Sequence, residues 1–159
     1  MPDTTSPEPP NTAQAGPLSY AIFQLARTHR AHAATMLRAM NLHPGQELLL
    51  MQLFDRDGRT QTELQECVGL DHSTVSKSLR RMQEAGLLTR EPAPHDRRVM
   101  VVHLTDAGHA LREPIADMWR TLEQISVRDL TPEQIQAFTT CARLIEKSVR
   151  HHDRQPPGK

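Results

Sequence analysis

The chain has 159 residues, of which 24% are charged, with nineteen acidic and nineteen basic side chains. This length suits one domain with its own hydrophobic core, and no apolar run approaches the roughly 20 residues of a membrane helix. The start of the chain lacks the basic and apolar segments of a signal peptide, so a cytoplasmic protein is expected. Cys67 and Cys141 are spaced for neither a disulfide framework nor a zinc finger.

The chain begins with a segment poor in large apolar residues and continues with two helical patterns. Proline, serine, threonine and asparagine dominate residues 1–17, which predicts a disordered arm. Apolar residues at intervals of three and four predict a long first helix over residues 18–40. Pro44 suits the first position of a second helix that runs through Phe54, because a helix leaves the N–H at that position unbonded.

Two short helices follow, separated by a glycine. Thr60-x-x-Glu63 is a capping box that fixes the start of a third helix at Thr60, and Gly69 suits the left-handed position at its end. Asp71 can cap a fourth helix, because its carboxylate accepts hydrogen bonds from the free N–H groups of the first turn. The apolar residues of that helix recur at helical spacing and are predicted to face inward: Val75, Leu79 and Met82.

A β-hairpin is predicted next. Residues 87–91 and 99–104 read as paired strands, and the second alternates two sets of side chains as a half-buried strand does. Pro92 and Pro94 are expected to keep the connecting loop out of the strand ladder, because proline has no N–H to donate. The loop also carries two adjacent cations, in the run His95-Asp96-Arg97-Arg98.

Two helices complete the chain. Thr105 is expected to cap a fifth helix over residues 105–127, and Pro114 should kink it near Ala110. The run Thr131-Pro132-Glu133-Gln134 combines a cap, a first-turn proline and a capping-box glutamine, which predicts a sixth helix over residues 131–149. Residues 150–159 are expected to be a frayed tail. The predicted fold is mainly α (α+β), in the order α-α-α-α-β-β-α-α.

This order is that of a helix-turn-helix lobe with a β-wing, over residues 44–104, which serves to place one helix in a DNA groove. The window from His72 to Arg98 carries a net charge of +3 in a neutral chain, and a local basic edge is what DNA binding requires. A solvated helix face would explain the polar residues alone, but not their order with the glycine turn and the basic wing. Phosphate-binding glycine loops, nucleophile elbows and catalytic carboxylate pairs are absent from the sequence, so no enzymatic activity is expected.

The fourth helix is expected to read double-stranded DNA. Short polar side chains in its first turns suit base edges in the major groove: Ser73, Thr74, Ser76 and Lys77. Arg80 and Arg81, further along, suit backbone phosphates. Thr60 and Gln61 can reach another phosphate through the start of the preceding helix, and an arginine at the hairpin tip suits a narrow minor groove.

Three motifs make a more specific comparison possible. They are DHSTVSKSLRRMQEAGLL over residues 71–88, the wing run Asp96-Arg97-Arg98, and Leu104-Thr105-x-x-Gly108. Through them, residues 18–149 resemble the MarR family of bacterial transcriptional regulators. The resemblance implies that Arg98 enters the minor groove, that Arg97 contacts a phosphate, and that Asp96 holds the wing by ion pairing.

The resemblance also implies a homodimer on a pseudo-palindromic operator, acting as a repressor or less often as an activator. The helices at 18–40, 105–127 and 131–149 would form the dimer. The last two of these helices carry more apolar side chains than a small lobe can bury, so a partner chain is the natural cover. These apolar residues are Leu111, Ile115, Met118, Trp119, Leu122, Ile125, Ile135, Phe138, Leu144 and Ile145.

Release from DNA by a small aromatic or phenolic effector is a further implication of the resemblance. A gap beside the first helix, with apolar walls and a histidine as polar contact, would suit an aromatic carboxylate. The residues expected to line it are Leu25, His29, Met36, His43, Leu49 and Leu53. No cofactor is expected.

A metal- or redox-responsive regulator of the same fold is the alternative. Five histidines are candidate zinc ligands, although the pattern of the family's zinc sensors is not well matched: His29, His32, His43, His103 and His109. No metal site is therefore assigned. The family's peroxide sensors carry a cysteine near the start of the first helix, which this sequence lacks, and Cys67 is expected to be a buried small hydrophobe.

Overall fold

The structure is a computed structural model, and it describes residues 10–153. Within these residues the elements are, in chain order, a 3-10 helix (Asn11–Ala15), α1 (Pro17–Ala39), α2 (Gln46–Asp55), β1 (Arg59–Thr60), α3 (Gln61–Val68), α4 (His72–Glu84), β2 (Leu88–Pro92), β3 (Met100–Leu104), α5 (Asp106–His109), α6 (Arg112–Val127) and α7 (Pro132–Asp153). The chain divides into two compact units, residues up to Met118 and residues from Trp119 onward. The predicted class, mainly α with a winged helix-turn-helix, is confirmed.

The N-terminal arm predicted for residues 1–17 is structured in its second half. Residues 11–15 form the 3-10 helix, in which Ala13 N donates to Pro10 O at 2.8 Å, and Pro17 is already the first residue of α1. Proline fixes φ near the helical value, which suits Pro17 as the first residue of α1. The prediction of disorder is therefore wrong for residues 11–15 and for Pro17, while residues 1–9 lie outside the described residues.

Helix α2 begins at Gln46, two residues later than predicted. Gly45 has φ 94 and forms the cap, so Pro44 lies in the preceding turn. The side chains of the first two helical residues, both buried, turn back onto this turn. His43 N donates to Gln46 Oε1 at 2.9 Å, and Gly45 N donates to Glu47 Oε2 at 2.7 Å. Burial raises the pKa of the Glu47 carboxyl.

The predicted caps of α3 and α4 are confirmed. Thr60 N donates to Glu63 Oε2 at 2.7 Å, and Glu63 N donates to Thr60 Oγ1 at 3.2 Å, which completes the capping box. The hydrogen bond from Thr60 N, together with a side-chain hydrogen bond from Arg56, lowers the pKa of Glu63 to about 2. Gly69 ends α3 at φ 64, and Asp71 caps α4.

The first unit has its core between α2, α3, α4 and the sheet. Helix α4 contacts α2, α3 and β2, and its apolar stripe faces inward as predicted, since Val75, Leu79 and Met82 have no exposed surface. The remaining fully buried apolar residues are Leu37, Leu42, Leu49, Leu50, Leu53, Leu64, Leu88, Val102 and Ile115.

The sheet has three antiparallel strands in the order β1-β3-β2. The predicted hairpin is confirmed, but β2 extends to Pro92, which lies opposite Met100. The expectation that Pro92 stays outside the ladder is wrong, because a strand can end on a proline whose missing N–H has no partner to lose. Strand β1 was not predicted, since a two-residue strand carries no alternation; Arg59 lies opposite Val102 and Thr60 opposite Val101.

The fifth predicted helix is broken rather than kinked. Helix α5 ends at His109 and α6 begins at Arg112, so the break lies at Ala110 and Leu111, where Pro114 was expected to act. Thr105 caps α5 as predicted, because Gly108 N donates to its hydroxyl at 3.2 Å. The same hydroxyl donates to Gly86 O at 2.6 Å and ties α5 to the turn before β2.

The second unit contains the end of α6 and the whole of α7. The predicted cap of α7 is confirmed, since Thr131 N donates to Gln134 Oε1 at 2.8 Å and Gln134 N donates to Thr131 Oγ1 at 3.3 Å. The helix continues to Asp153, so the tail predicted for residues 150–159 is helical over its first four residues. Residues 154–159 lie outside the described part. Within residues 10–153, no helix has the length and apolarity needed to span a membrane.

Candidate nucleic-acid interface

The outer face of α4 gathers most of the residues expected to read DNA. Five of the six are exposed: Ser73, Thr74, Lys77, Arg80 and Arg81. Ser76 is half-buried at the edge of this face. The buried stripe on the opposite side fixes the orientation of the helix, because rotating α4 would expose three apolar side chains.

The N-terminal cap of α4 also binds two of these side chains. Asp71 Oδ1 accepts hydrogen bonds from Thr74 N at 2.9 Å and from Ser73 Oγ at 2.6 Å, and Asp71 Oδ2 accepts from Thr74 Oγ1 at 2.5 Å. These bonds, with that from the Ser73 hydroxyl contributing most, lower the pKa of Asp71 well below its usual range. The carboxylate is therefore ionised at neutral pH, beside the face that would approach DNA.

The cations of α4 and β2 are differently constrained. Arg80 Nε lies 3.7 Å from Glu84 Oε1, an exposed pair of the kind that contributes little to stability. Arg90 Nε donates to Gln83 Oε1 at 2.6 Å and so joins β2 to the end of α4. Arg80 can therefore turn to a phosphate at small cost, whereas Arg90 is held.

The start of α3 has less free capacity for a phosphate than expected. Both Thr60 and Gln61 are half-buried. The Thr60 hydroxyl accepts from Glu63 N, and the Glu63 carboxylate fills the space in front of the first turn and pairs with Arg56. A negative side chain at this helix end opposes a second anion, so a phosphate would be bound there less favourably than expected.

The wing is organised differently from the expectation. The side chains of Asp96, Arg97 and Arg98 are exposed, and Asp96 Oδ1 accepts from the backbone N of Arg98 at 2.9 Å. Val99 N donates to Asp96 O at 3.0 Å, which closes the turn. Among the described residues Asp96 has no ion pair, so the predicted ion pairing is wrong. Asp96 instead shapes the backbone that carries Arg98, and both guanidinium groups project freely.

Sequence reasoning missed a contact that fastens the base of the wing to the helix-turn-helix. Leu104 N donates to Asp57 Oδ1 at 2.9 Å, and His103 Nδ1 lies 3.4 Å from Asp57 Oδ2. Gly58, at φ 73, passes so close to the His103 ring that a Cβ would lie 2.9 Å from its Cε1 atom. The sequence indicated only a turn at this place. Asp57 and His103 are 46 residues apart, so their contact leaves no local pattern.

Two of the six predicted effector residues are inaccessible to a ligand. Leu49 and Leu53 are fully buried in the core, because the apolar face of α2 turns inward, whereas Leu25 and His43 are exposed and His29 and Met36 half-buried. A groove of about 600 Å³ lies elsewhere, along α1 and the start of α2. Its walls are formed by Phe23, Ala26, Arg27, Arg30, Ala31, Ala33, Ala34, Leu37, Pro44 and Glu47.

The metal and thiol candidates are also separated. Within residues 10–153, no three histidine, cysteine or acidic side chains converge as a metal site would require. Both cysteines are exposed, so the expectation of a buried Cys67 is wrong. Arg59 Nη1 lies 3.6 Å from Cys67 Sγ.

Comparison with known sequences gives a consistent result. A family model described as MarR family matches residues 32–99. The organic hydroperoxide resistance transcriptional regulator of Bacillus subtilis (strain 168) is 27% identical over 134 residues, which cover 82% of this chain and 91% of the relative. IacR, an HTH-type transcriptional repressor of Pseudomonas putida, is 29% identical over 129 residues, covering 79% and 77% of the two chains.

Solved structures extend the likeness to most of the chain. A crystal structure of MarR is 28% identical, with a TM-score of 0.73 over 87% of this chain and 95% of that one. A mutant MarR from E. coli complexed with operator DNA is 21% identical, with a TM-score of 0.77 over 84% and 96%. BpsR of Bordetella bronchiseptica, whose DNA binding is regulated by 6-hydroxynicotinic acid, is 22% identical, with a TM-score of 0.74 over 81% and 98%.

Proposed function

We propose that the chain is a transcriptional regulator of the MarR family, which binds a pseudo-palindromic operator as a homodimer and represses transcription until an aromatic acid releases it. DNA-binding regulation rather than catalysis is the activity of its relatives. The observation that carries the proposal is the face of α4, which exposes hydroxyl and basic side chains over a fully buried apolar stripe. A wing with two free arginines lies at the end of the adjoining hairpin.

The positions of the side chains on α4 and the wing suggest which of them contact bases and which contact phosphates. Ser73, Thr74 and Ser76 would meet base edges in the major groove, whereas Lys77, Arg80 and Arg81 would meet phosphates. Arg98 would enter the minor groove and Arg97 would contact a phosphate. Because two lobes are needed for two half-sites about one helical turn apart, the operator is expected to be a pseudo-palindrome.

The apolar surface supports a second copy as partner. On α1, Leu18 and Phe23 are 61% and 62% exposed, and on α7, Phe138 and Leu144 are 56% and 60% exposed. Large apolar side chains that are exposed in such number mark an interaction surface rather than a surface that faces solvent. A homodimer can cover each of these two apolar faces on both chains at once.

Salt dependence tests the DNA-binding proposal. The affinity for the selected operator should fall steeply with salt, because the cations of α4 and the wing displace counterions from phosphates. Arg81→Ala should weaken binding to operator and random DNA alike and reduce the salt slope by about one. Arg128→Ala, which removes an exposed arginine outside this face, is the control. Fluorescence anisotropy gives the affinities, and sedimentation gives two chains per operator. Equal affinity for operator and scrambled DNA would contradict the proposal.

The groove along α1 is the proposed effector site. Arg27 and Arg30 supply cations for a carboxylate, while Phe23 and Leu37 supply apolar walls. Its volume of about 600 Å³ suits a small aromatic acid. Glu47 links the groove to the first turn of α2, which contacts α3 and α4, so a ligand there can bias the position of the reading helix.

An aromatic hydroxy acid should therefore release the operator through these arginines. With salicylate or 6-hydroxynicotinic acid as probe, operator affinity should fall about tenfold, within the usual range of such coupling. Arg27→Gln with Arg30→Gln should abolish this response while leaving DNA binding intact. His29→Ala should respond normally, because His29 does not line the groove. Loss of the response in His29→Ala alone would favour the pocket predicted from the sequence.

Redox control is the second candidate. It is favoured by the exposed thiol of Cys67 beside Arg59 and by the likeness to an organic hydroperoxide resistance regulator. Release of DNA by cumene hydroperoxide in the wild-type protein, abolished in Cys67→Ser, would support it. Release by the aromatic acid with no effect of peroxide would exclude it.

A further inference from the structure

The hydroxyl groups of Ser73 and Thr74 donate to one and the same carboxylate. Ser73 Oγ lies 2.6 Å from Asp71 Oδ1, and Thr74 Oγ1 lies 2.5 Å from Asp71 Oδ2. Lengths of this kind belong to charge-assisted O–H···O⁻ bonds, which are about twice as strong as neutral ones. Each hydroxyl has a single hydrogen, so once it is donated the oxygen has only lone pairs to offer.

We propose that Asp71 is a specificity-determining residue, which sets Ser73 and Thr74 as hydrogen-bond acceptors and thereby makes the first turn of α4 select bases that carry an amino group. In the major groove those bases are adenine, through N6, and cytosine, through N4. Guanine and thymine present only acceptors there, apart from the thymine methyl group. The inference rests on the proposed DNA-binding function and adds the class of base that this turn reads.

Selection of guanine or thymine would require the hydrogen bonds to Asp71 to break. To donate to guanine O6 or thymine O4, either hydroxyl would have to leave the carboxylate, and an ionised oxygen would lose a partner. The depressed pKa of Asp71 keeps that carboxylate charged at neutral pH. The same charge repels phosphate, so Ser73 and Thr74 are directed to base edges and away from the backbone.

Asp71→Asn keeps the helix cap but changes the direction of one hydrogen bond to a hydroxyl group. Asparagine is as good a cap as aspartate, and its amide oxygen can still accept from Thr74 N and Ser73 Oγ, as Asp71 Oδ1 does. The amide NH₂ then replaces Asp71 Oδ2 and donates to the Thr74 hydroxyl. That hydroxyl becomes free to donate to DNA, whereas Ser73 keeps its original polarity.

The experiment measures base preference rather than affinity alone. Wild type, Asp71→Asn, Thr74→Val and the double variant are compared on operators in which each half-site position is changed in turn. At one position the wild-type preference for adenine or cytosine should fall at least about fivefold in Asp71→Asn, or reverse toward guanine or thymine. In the Thr74→Val background the same Asp71→Asn change should leave the preference unaltered, and Ser73→Ala should not remove the shift.

A modified base provides an independent measurement. A purine lacking the 6-amino group, placed at the responsive position when that base is adenine, should weaken wild-type binding at least about fivefold and Asp71→Asn binding by less than twofold. The corresponding pyrimidinone without the 4-amino group serves when the base is cytosine. Circular dichroism and the melting temperature verify that Asp71→Asn retains α4. An unchanged base preference in a folded Asp71→Asn variant overturns the inference but not the proposed function, whereas a wild-type protein without any sequence preference overturns both.

Discussion

Gly108→Ala should lower the free energy of unfolding by about 3 kcal/mol or more, at the upper end of what overpacking costs. A Cβ on this residue would lie 2.1 Å from Leu87 O and 3.1 Å from Leu104 Cδ2. The first neighbour is backbone and cannot rotate away, so α5 would have to move from the turn before β2. That movement would also strain the bond from Thr105 N to Leu87 O, now 3.1 Å long.

The expected change in the free energy of unfolding is opposite in sign to the change that helix propensity alone would give. Gly108 lies within α5, where alanine alone would stabilise a helix by up to about 1 kcal/mol. Gly69→Ala is the matched control, because Gly69 has φ 64 but no atom within 4 Å of the added carbon. Its cost should be only the 1–2 kcal/mol, roughly, of a left-handed alanine. Urea denaturation compares the variants, and a Gly108→Ala protein as stable as wild type would contradict the packing argument.

The same contact gives a physical basis to one of the motifs that carried the family resemblance. In Leu104-Thr105-x-x-Gly108, Leu104 is a core residue, Thr105 caps α5 and bonds to Gly86 O, and Gly108 permits close approach. Each residue acts on the junction between the wing and α5. Packing at this junction therefore requires the spacing of the motif. The sequence shows the spacing but not its physical reason.

Local signals in the sequence predicted most of the fold. The capping box at Thr60, the Asp71 cap and the stripe of Val75, Leu79 and Met82 each concern residues within one or two turns of each other. Interactions of this range leave a pattern in the chain. The position of the break before α6 was predictable for the same reason, because the Pro114 ring clashes with the carbonyl of Ala110, although a kink and not a break was expected.

The features that were missed depend on partners far apart in the chain or on the direction of a side chain. Strand β1 exists because β3 lies beside it, and Asp57 bonds to Leu104 N across 47 residues. The predicted effector residues are an apolar set near histidines, but the inward face of α2 places Leu49 and Leu53 in the core. A pattern shows which residues are apolar but not which of them remain open to a ligand.

The second large effect is expected in the wing, where Arg98 contributes to operator affinity. Arg98→Ala should weaken operator binding by about 1–3 kcal/mol, the size of a good specific contact, which corresponds to roughly five- to 150-fold. The loss should be greatest for operators whose minor groove at the wing is rich in A·T pairs, because the narrow groove there attracts an arginine most strongly. Arg97→Ala should instead weaken all sequences alike and reduce the salt slope by about one. Anisotropy titrations on operators with A·T-rich and G·C-rich flanks distinguish the two.

Two substitutions of Asp96 decide how Arg98 is held. Asp96→Asn keeps a side-chain oxygen to accept from Arg98 N, whereas Asp96→Ala removes the bond of 2.9 Å that shapes the turn. Asp96→Asn should therefore bind the operator at least as tightly as wild type, since it also removes a negative charge near phosphates. Asp96→Ala should lose part of the Arg98 contact and weaken binding severalfold, despite the same loss of charge. If both variants weaken binding equally, the carboxylate acts through an ion pair to arginine, and the backbone role assigned to it here is wrong.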